Sequence, residues 1–371
     1  MDEKIRVMII DDSALMRNLL STTLSNYETI TVVGTAINGR FGLKKLNILK
    51  PDIIILDLEM PDMNGIEFLK EKQKLEIKTP VIILSAHAKK GAKITLDALS
   101  LGASDFILKP SGSADEIRST KDELVEMILA LSTPNSYIAT DAKSKIQPLE
   151  FERIVVAEPK KIETKNYLQP AQPIPQIDIL AIGISTGGPN ALRNMLVKFP
   201  EDFPVPIVIV QHMPPGFTFE FAKSLNAICK LEVKEAEEND IVKPGRIFIA
   251  PGDKHVRFSK KKLATVITLD DTPAISGHKP SVDVLFESVA EVYGKNAIAC
   301  IMTGMGKDGA ANIGLILKKG GVTIAQDQSS CIVFGMPKIA IMNNNIQYIC
   351  NLDDIPATIF DILEKSRREN N

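Results

Sequence analysis

Short runs of consecutive apolar residues alternate along this chain with stretches whose apolar positions recur every three or four residues. In the first part the runs are Ile5–Ile10, Thr31–Gly34, Ile53–Leu58, Val81–Leu84 and Phe106–Leu108. The stretches with helical spacing are Ser13–Ser25, Gly39–Leu49, Gly65–Lys74, Ala92–Leu101 and Asp115–Leu131. A short apolar run without alternation suits a strand buried on both faces, and the helical stretches between such runs cover the sheet. The pattern predicts a doubly wound parallel sheet of five strands. Periodicity fades after Leu131, where Ser132-Thr133-Pro134-Asn135-Ser136 signals a loop. Prolines at 159, 170, 173 and 175 in a polar setting read as a semi-rigid spacer, with Phe151–Val156 the one apolar patch expected to pack on a domain.

The alternation then returns. Its runs are Ile179–Ile184, Val205–Val210, Arg246–Ala250, Ala297–Met302 and Val322–Ala325. Its helical stretches are Ala191–Phe199, Phe219–Cys229, Ser281–Tyr293, Ala310–Lys319 and Ile355–Lys365. A second α/β domain follows, giving a first domain at 1–131, a linker at 132–176 and a second domain at 177–371. Lys260-Lys261-Lys262, between strand-like pieces, reads as a solvated hairpin tip.

Composition narrows what such a chain can do. The net charge of −2 offers no basic surplus and argues against nucleic acid as a partner. Tryptophan is absent and aromatics make up 5%, too few for a platform of stacked rings. Cys229, Cys300, Cys331 and Cys350 have no C-x-x-C spacing, which argues against zinc and a disulfide framework. The sequence starts Met-Asp-Glu-Lys without a signal-like apolar region, and no apolar stretch approaches the roughly 18–20 residues that span a bilayer. The expectation is a cytoplasmic, soluble chain without membrane insertion, monomeric by default.

In doubly wound sheets ligands bind beyond the carboxyl ends of the strands, so the residues just past each run carry the chemistry. In the first domain these are Asp11-Asp12, Asp57, Ser85 and Lys109-Pro110. Carboxylates converging at one rim repel unless a cation lies among them, and hard oxygen ligands suit Mg²⁺, which likes to share a phosphoryl oxygen. A lysine and a hydroxyl nearby would help neutralise a phosphoryl group, with Asp57 the carboxylate to carry it.

In the second domain, Gly183-Ile184-Ser185-Thr186-Gly187 fits the G-x-S-x-G spacing at a strand-to-helix break. Ser185 is a candidate nucleophile, and a serine that merely caps the helix is the alternative. No G-K-[ST] follows, so there is no P-loop. Past the next runs come Gln211-His212-Met213 and Thr303-Gly304-Met305-Gly306-Lys307-Asp308-Gly309. A serine, a histidine and an aspartate at one rim make a nucleophile, a base and an orienting acid. His255, which also follows a buried run, is the rival to His212, and Asp253 and Asp327 are rivals to Asp308. His212 is favoured because its run is adjacent in sequence to that of Ser185 and sequential strands are often neighbours. His87 reads as a surface residue, and His278 as a solvated or substrate-contacting one. The Ser, His, Asp order differs from the Ser, Asp, His order of α/β-hydrolases, which points to a different scaffold.

Two resemblances overlay these features. Residues 5–131 resemble a response-regulator receiver domain, through D-D-S at 11–13, L-D-L-E-M-P-D-M-N-G at 56–65, L-S-A at 84–86, G-A-S-D-F at 102–106 and K-P at 109–110. The resemblance implies a flavodoxin-like fold and phosphorylation of Asp57 by a histidine kinase. Mg²⁺ would be bound by Asp12, Asp57 and the Glu59 backbone carbonyl, with Asp11 acting through water. Ser85 and Phe106 would be the switch pair, Lys109 would hold the phosphoryl oxygen, and the Lys109-Pro110 bond could be cis.

Residues 178–365 resemble the catalytic domain of chemotaxis protein-glutamate methylesterases. The carriers are I-G-I-S-T-G-G-P, Q-H-M, A-P-G, K-P-S-V-D at 279–283, M-T-G-M-G-K-D-G at 302–309 and F-G-M-P at 334–337. This implies a Rossmann-like domain that demethylates, and deamidates at glutamine, methyl-accepting chemotaxis receptors. Ser185 would be nucleophile, His212 base and then acid, Asp308 its orienting partner, and the Met305 backbone N–H part of the oxyanion hole. No cofactor is implied for that step. Ile184, where a small residue is common, and Gly-Asp-Lys before His255 depart from the family pattern.

Overall fold

The structure is a computed structural model that describes residues 4–86, 89–109, 114–132 and 174–370. His87, Pro110 with its peptide bond to Lys109, the Phe151–Val156 patch and most of the proline-rich spacer lie outside the described residues.

The first domain runs β1 (Ile5–Ile10), α1 (Ala14–Ser25), β2 (Ile30–Ala36), α2 (Gly39–Leu49), β3 (Ile53–Asp57), α3 (Gly65–Lys74), β4 (Val81–Ser85), α4 (Lys89–Ser100), β5 (Asp105–Leu108) and α5 (Ala114–Ser132). Local chemistry sets several helix starts. Ser13 caps α1 by accepting from the Met16 N–H at 3.3 Å. Asn64 and Glu67 form a reciprocal capping box on α3. The five strands are parallel in the order β2-β1-β3-β4-β5. The order reverses between β1 and β3, so the crevice at the switch point lies beside Asp11 and Asp57.

The second domain contains β6 (Ile179–Ile184), α6 (Gly188–Leu196), β7 (Ile207–Gln211), α7 (Phe217–Asn226), β8 (Glu232–Glu235), β9 (Arg246–Ile249), β10 (His255–Lys260), β11 (Thr265–Asp270), α8 (Val282–Val292), β12 (Ala297–Ile301), α9 (Ile313–Lys318), β13 (Val322–Gln326), α10 (Met336–Met342), β14 (Tyr348–Cys350) and α11 (Ile355–Asn370). Seven strands form one parallel sheet, ordered β14-β13-β12-β6-β7-β9-β8. Here the switch point falls between β6 and β12. The central strands β6, β7 and β12 are buried throughout, as their unbroken apolar runs require.

Four strands and a short helix lie outside the apolar runs. β8, Glu-Val-Lys-Glu, is an edge strand with charged outward positions, and β14 has three residues. β10 and β11 pair antiparallel as a hairpin, and α10 has seven residues. The hairpin tip carries exposed Lys260, Lys261 and Lys262, as the sequence suggests. Residues ahead of β6 are fastened to α11. Ser366 Oγ donates to the Pro175 carbonyl at 2.7 Å and accepts from the Ile177 N–H at 3.2 Å.

The domains pack through α4 of the first against α6 and α7 of the second. Phe106 stacks on Phe217 with ring centroids 4.8 Å apart and planes 7° from parallel. Asn190 Nδ2 donates to the Ala103 carbonyl at 3.2 Å. Among the described residues no helix is long and apolar enough to cross a membrane.

Candidate active site

The switch point of the seven-stranded sheet gathers the residues that follow β6, β7 and β12. Ser185 follows β6 directly, and its N–H donates to the Thr303 carbonyl past β12 at 3.0 Å. The chain turns into α6 through Gly187, whose φ of 76° lies in the left-handed region. Two residues before the serine, Gly183 backs onto α8, and a Cβ there would collide with the Val282 side chain. Gly183→Ala should therefore push Val282 outward and destabilise the second domain by about 1–3 kcal/mol. A thermal midpoint equal to that of the parent protein would contradict this packing argument.

His212 follows β7, and its Nδ1 lies 3.0 Å from Ser185 Oγ. Its Nε2 lies 2.8 Å from Asp308 Oδ2, with His212 and Asp308 largely shielded from solvent. A carboxylate can only accept, so Nε2 carries the proton and Nδ1 is left as acceptor for the serine hydroxyl. The two ring nitrogens are thus used in the reverse sense of the chymotrypsin arrangement, where Nε2 faces the serine. Burial would raise the Asp308 carboxyl, but the bond to His212 and the donors Val282 N–H and Ser281 Oγ hold it well below the usual range. Its half-buried neighbour Asp283 is pushed up, by burial and then by the charge of Asp308. The nearness of the two carboxyls keeps one proton on Asp283 more firmly and leaves the charge on Asp308.

The rivals are engaged elsewhere. His255 is fully buried, with Nε2 at 3.2 Å from the Pro273 carbonyl and Nδ1 accepting from the Ser281 N–H at 3.1 Å. Asp253 is exposed beside Lys279, at 3.7 Å. Asp327 caps its own turn, accepting from Ser329 Oγ, Ser330 N–H and Ser330 Oγ at 2.8, 3.0 and 2.6 Å. His278, which the sequence left between a solvated and a substrate-contacting role, stacks face to face on His212 at 3.8 Å. Burial and the neighbouring His212 hold it down at about 4, so it is neutral near pH 7.

A cavity of about 330 Å³ opens over these groups, lined by Ser185, Thr186, His212, His278 and Met305. Gly304 N–H is spent on the Val333 carbonyl at 3.0 Å, whereas the Met305 N–H has no hydrogen-bond acceptor among the described residues. The far wall belongs to the first domain and includes Asp105 and Phe106. Asp105 is buried, accepts from the Phe106 N–H at 2.9 Å and faces the Thr186 side chain and the Gly187 N–H at the start of α6, next to Ser185. Burial pushes its carboxyl up to about 7 against those donors.

At the other switch point, carboxylate oxygens of Asp11, Asp12 and Asp57 lie within 4.8 Å of one another. Lys109 Nζ is 2.8 Å from Asp57 Oδ2 and 3.6 Å from Asp11 Oδ2. Burial raises the Asp11 carboxyl, with Lys109 opposing and Asp57 adding to the rise. Asp11 Oδ2 is buried without a hydrogen bond, a lone pair that a divalent cation would satisfy. Glu59, two residues past Asp57, lines the same crevice. Ser85 Oγ is turned to Thr95 Oγ1 at 2.6 Å, on α4. Phe106, the other expected switch residue, is held at the domain interface by Phe217.

Sequence reasoning missed several participants. Ser281 and the N–H groups of Val282 and Asp283 surround Asp308 but sit 25–27 residues from it. Gln211 Nε2 ties the backbone carbonyls of Ser185 and His212 together at 3.1 and 3.2 Å. The K-P-S-V-D and Q-H-M motifs contained these residues without revealing their contacts. Asp105 and Phe217 were hidden because their roles depend on how the two domains dock.

Two family models match the chain: the response regulator receiver domain over residues 7–120 and the CheB methylesterase over residues 180–359. A protein-glutamate methylesterase/protein-glutamine glutaminase from Treponema denticola is 50% identical over 363 residues, covering 96% of this chain and 98% of that protein. One of the same name from Treponema pallidum is 42% identical over 387 residues, covering 96% of each. Among solved structures, the catalytic domain of the Thermotoga maritima CheB methylesterase matches at 41% identity with a TM-score of 0.50, covering 50% of this chain and 99% of that one. Two parallel-sheet domains, a receiver crevice of carboxylates and a serine–histidine–aspartate rim thus coincide with full-length similarity, and the chain belongs to the CheB methylesterase family.

Proposed function

We propose that this chain is a phosphorylation-activated hydrolase that removes methyl groups from glutamate methyl esters, and deamidates glutamines, on methyl-accepting chemotaxis receptors. The observation that carries the proposal is the hydrogen-bonded chain Ser185 Oγ–His212–Asp308, at 3.0 and 2.8 Å, opening into a cavity. His212 Nδ1 takes the Ser185 proton as Oγ attacks the ester γ-carbonyl. The negative charge that develops on the carbonyl oxygen meets the Met305 N–H. Such a preorganised donor is worth about 3–4 kcal/mol. His212 then protonates the leaving group, methanol from an ester or ammonia from an amide. Water, deprotonated by His212, frees the glutamate and restores Ser185. Asp308 stabilises the imidazolium that forms twice in the cycle.

The first domain, residues 1–131, acts as the receiver, and the linker 132–176 joins it to the catalytic domain 177–371. Asp57 accepts the phosphoryl group from a chemotaxis histidine kinase. Mg²⁺ would be held by Asp12, Asp57 and the Glu59 carbonyl, with Asp11 through water, and when bound it neutralises the carboxylates around the phosphoryl oxygens. Lys109, already 2.8 Å from Asp57, reaches a phosphoryl oxygen. Ser85 rotates from Thr95 toward that group. Phe106, one strand away, is freed to leave Phe217, which weakens docking and shifts the population to an open form.

Methanol release from methyl-labelled chemoreceptor membranes tests the chemistry, and a small phosphodonor with Mg²⁺ tests the control. Asp57→Ala should abolish the rise caused by phosphodonor and leave unstimulated release within about twofold of the parent, since Asp57 lies outside the esterase rim. A phosphodonor response that survives Asp57→Ala would remove Asp57 from the scheme.

A further inference from the structure

The Ser281–Asp283 turn takes no part in the mechanism above, yet it encloses Asp308. Ser281 Oγ donates to Asp308 Oδ1 at 2.7 Å, the Val282 N–H to Oδ2 at 2.7 Å and the Asp283 N–H to Oδ1 at 3.1 Å. Two of these donors are backbone groups at the start of α8, an eleven-residue helix, where the dipole favours a negative charge. The third, Ser281 Oγ, belongs to a side chain with no solvent exposure. Ser281 also caps α8, its Oγ facing the Val284 N–H at 3.5 Å.

The turn is in turn held from behind by His255. A backbone carbonyl only accepts, so His255 Nε2 must donate to Pro273 O, at 3.2 Å. That fixes the neutral tautomer with a bare Nδ1, which accepts the Ser281 N–H at 3.1 Å. His255 is fully buried on β10, so this acceptor has no water to replace it. A continuous path runs from Pro273 through His255, Ser281 and Asp308 to His212 and Ser185.

We propose that Ser281 is a positioning residue for hydrolysis at Ser185, acting through Asp308, and that His255 holds Ser281 in the conformation this requires. The proposal rests on the Ser185–His212–Asp308 mechanism. Asp308 must present Oδ2 to His212 and stay charged while the imidazolium forms. Ser281 fixes the opposite oxygen, which sets the rotation of the carboxylate, and it draws off part of the charge that would otherwise bind the His212 proton too tightly. The titratable groups facing the pair are Asp283 on α8 and His278, stacked on the other side of His212.

The test uses the full chain, methyl-labelled receptor membranes and pH profiles of kcat/KM. Ser281→Ala should lower kcat by about 10–100-fold with KM within about twofold, because only the charged transition state needs the aligned carboxylate. Its acid limb should move to higher pH by about half a unit or more, since Asp308 with one donor fewer binds the His212 proton more strongly. Ser281→Thr, which keeps the hydroxyl, should restore both. His255→Leu should behave as Ser281→Ala does, whereas His255→Asn, whose Oδ1 can take the place of Nδ1, should stay within about threefold of the parent. Wild-type kcat and acid limb in Ser281→Ala would overturn the proposal. So would a fall in activity with an unmoved acid limb, which marks a merely structural residue. Should Ser281→Ala fail to fold, Ser281→Cys, an isosteric weaker donor, is judged by the same acid limb. Turnover that persists in Ser185→Ala would instead defeat the underlying mechanism, so the two failures are distinguishable.

Discussion

Replacing Ser185 by Ala is expected to lower methanol release from receptor membranes by about four orders of magnitude or more, with the fold unchanged. The loss is large because, in the proposed mechanism, Oγ is the atom that bonds to carbon. His212 and Asp308 cannot substitute for it, since without the alkoxide they have nothing to activate except water. The residual rate would come from the Met305 N–H, which acts on the carbonyl oxygen independently of the nucleophile. Stability should hold because Ser185 contributes little packing. Its N–H bond to the Thr303 carbonyl and its carbonyl bond from Gln211 Nε2 are both backbone contacts that alanine keeps. The measurement is a rate per folded molecule, with far-UV circular dichroism and thermal midpoint on the same samples. A folded Ser185→Ala protein that retained a tenth of the parent rate would sink the assignment. A serine-directed covalent probe supplies the complement: it should label the parent and leave the variant unlabelled.

The second large effect concerns the receiver. Removing residues 1–131 should raise unstimulated activity by about tenfold or more, because each 1.4 kcal/mol of docking free energy is a factor of ten in the closed-to-open ratio. The basis is the far wall of the active-site cavity. Asp105 faces Thr186 and the Gly187 N–H, and Phe106 stacks on Phe217, so in the proposed scheme the docked receiver keeps a receptor helix from Ser185. A truncated protein slower than the full chain on receptor membranes would contradict inhibition by cover.

The same contact predicts a pH signature. Docked Asp105 has its carboxyl pushed up to about 7, against an ordinary value of 3.8. The docked state therefore holds this proton more tightly than the open state, and docking takes up a proton between those two values. Docking is strongest at the acid end of the window and weakens as pH rises toward 7. The ratio of full-chain to truncated activity should accordingly climb between about pH 4 and 7, the truncated enzyme cancelling the pH dependence of the hydrolysis itself. Asp105→Asn should reduce that climb, the remainder coming from Glu123, which lines the same cavity and is pushed up to about 7 by desolvation and then by Asp105. A ratio independent of pH in the parent would show that Asp105 does not report docking.

Much of both domains was legible in the chain. Buried strands such as Ile-Leu-Ala-Ile-Gly-Ile and Ile-Val-Ile-Val-Gln read as unbroken apolar runs because both faces are covered by helices, and their ends marked Ser185, His212 and Asp308. Edge strands β8 and β14 were not legible, because an edge faces solvent and its composition resembles that of loops. The choice of His212 over His255 rested on sequential strands being neighbours. β6 and β7 do pair directly, while His255 begins a hairpin outside the main sheet.

What the sequence determined by itself was the set of local decisions: which segments are buried, where each strand breaks, and which reactive side chain stands at each break. Those depend on the apolar period and on turn residues within a few positions. Only the tertiary structure decided that β12 lies beside β6, which brings Asp308 to Ser185 across more than a hundred residues of chain. It also decided that His212 offers Nδ1 rather than Nε2 to the serine, that Ser281 and His255 stand behind Asp308, and that Asp105 of one domain caps the rim of the other. These depend on the orientation of side chains brought together by long-range packing, and no local pattern of hydrophobicity or spacing encodes that orientation.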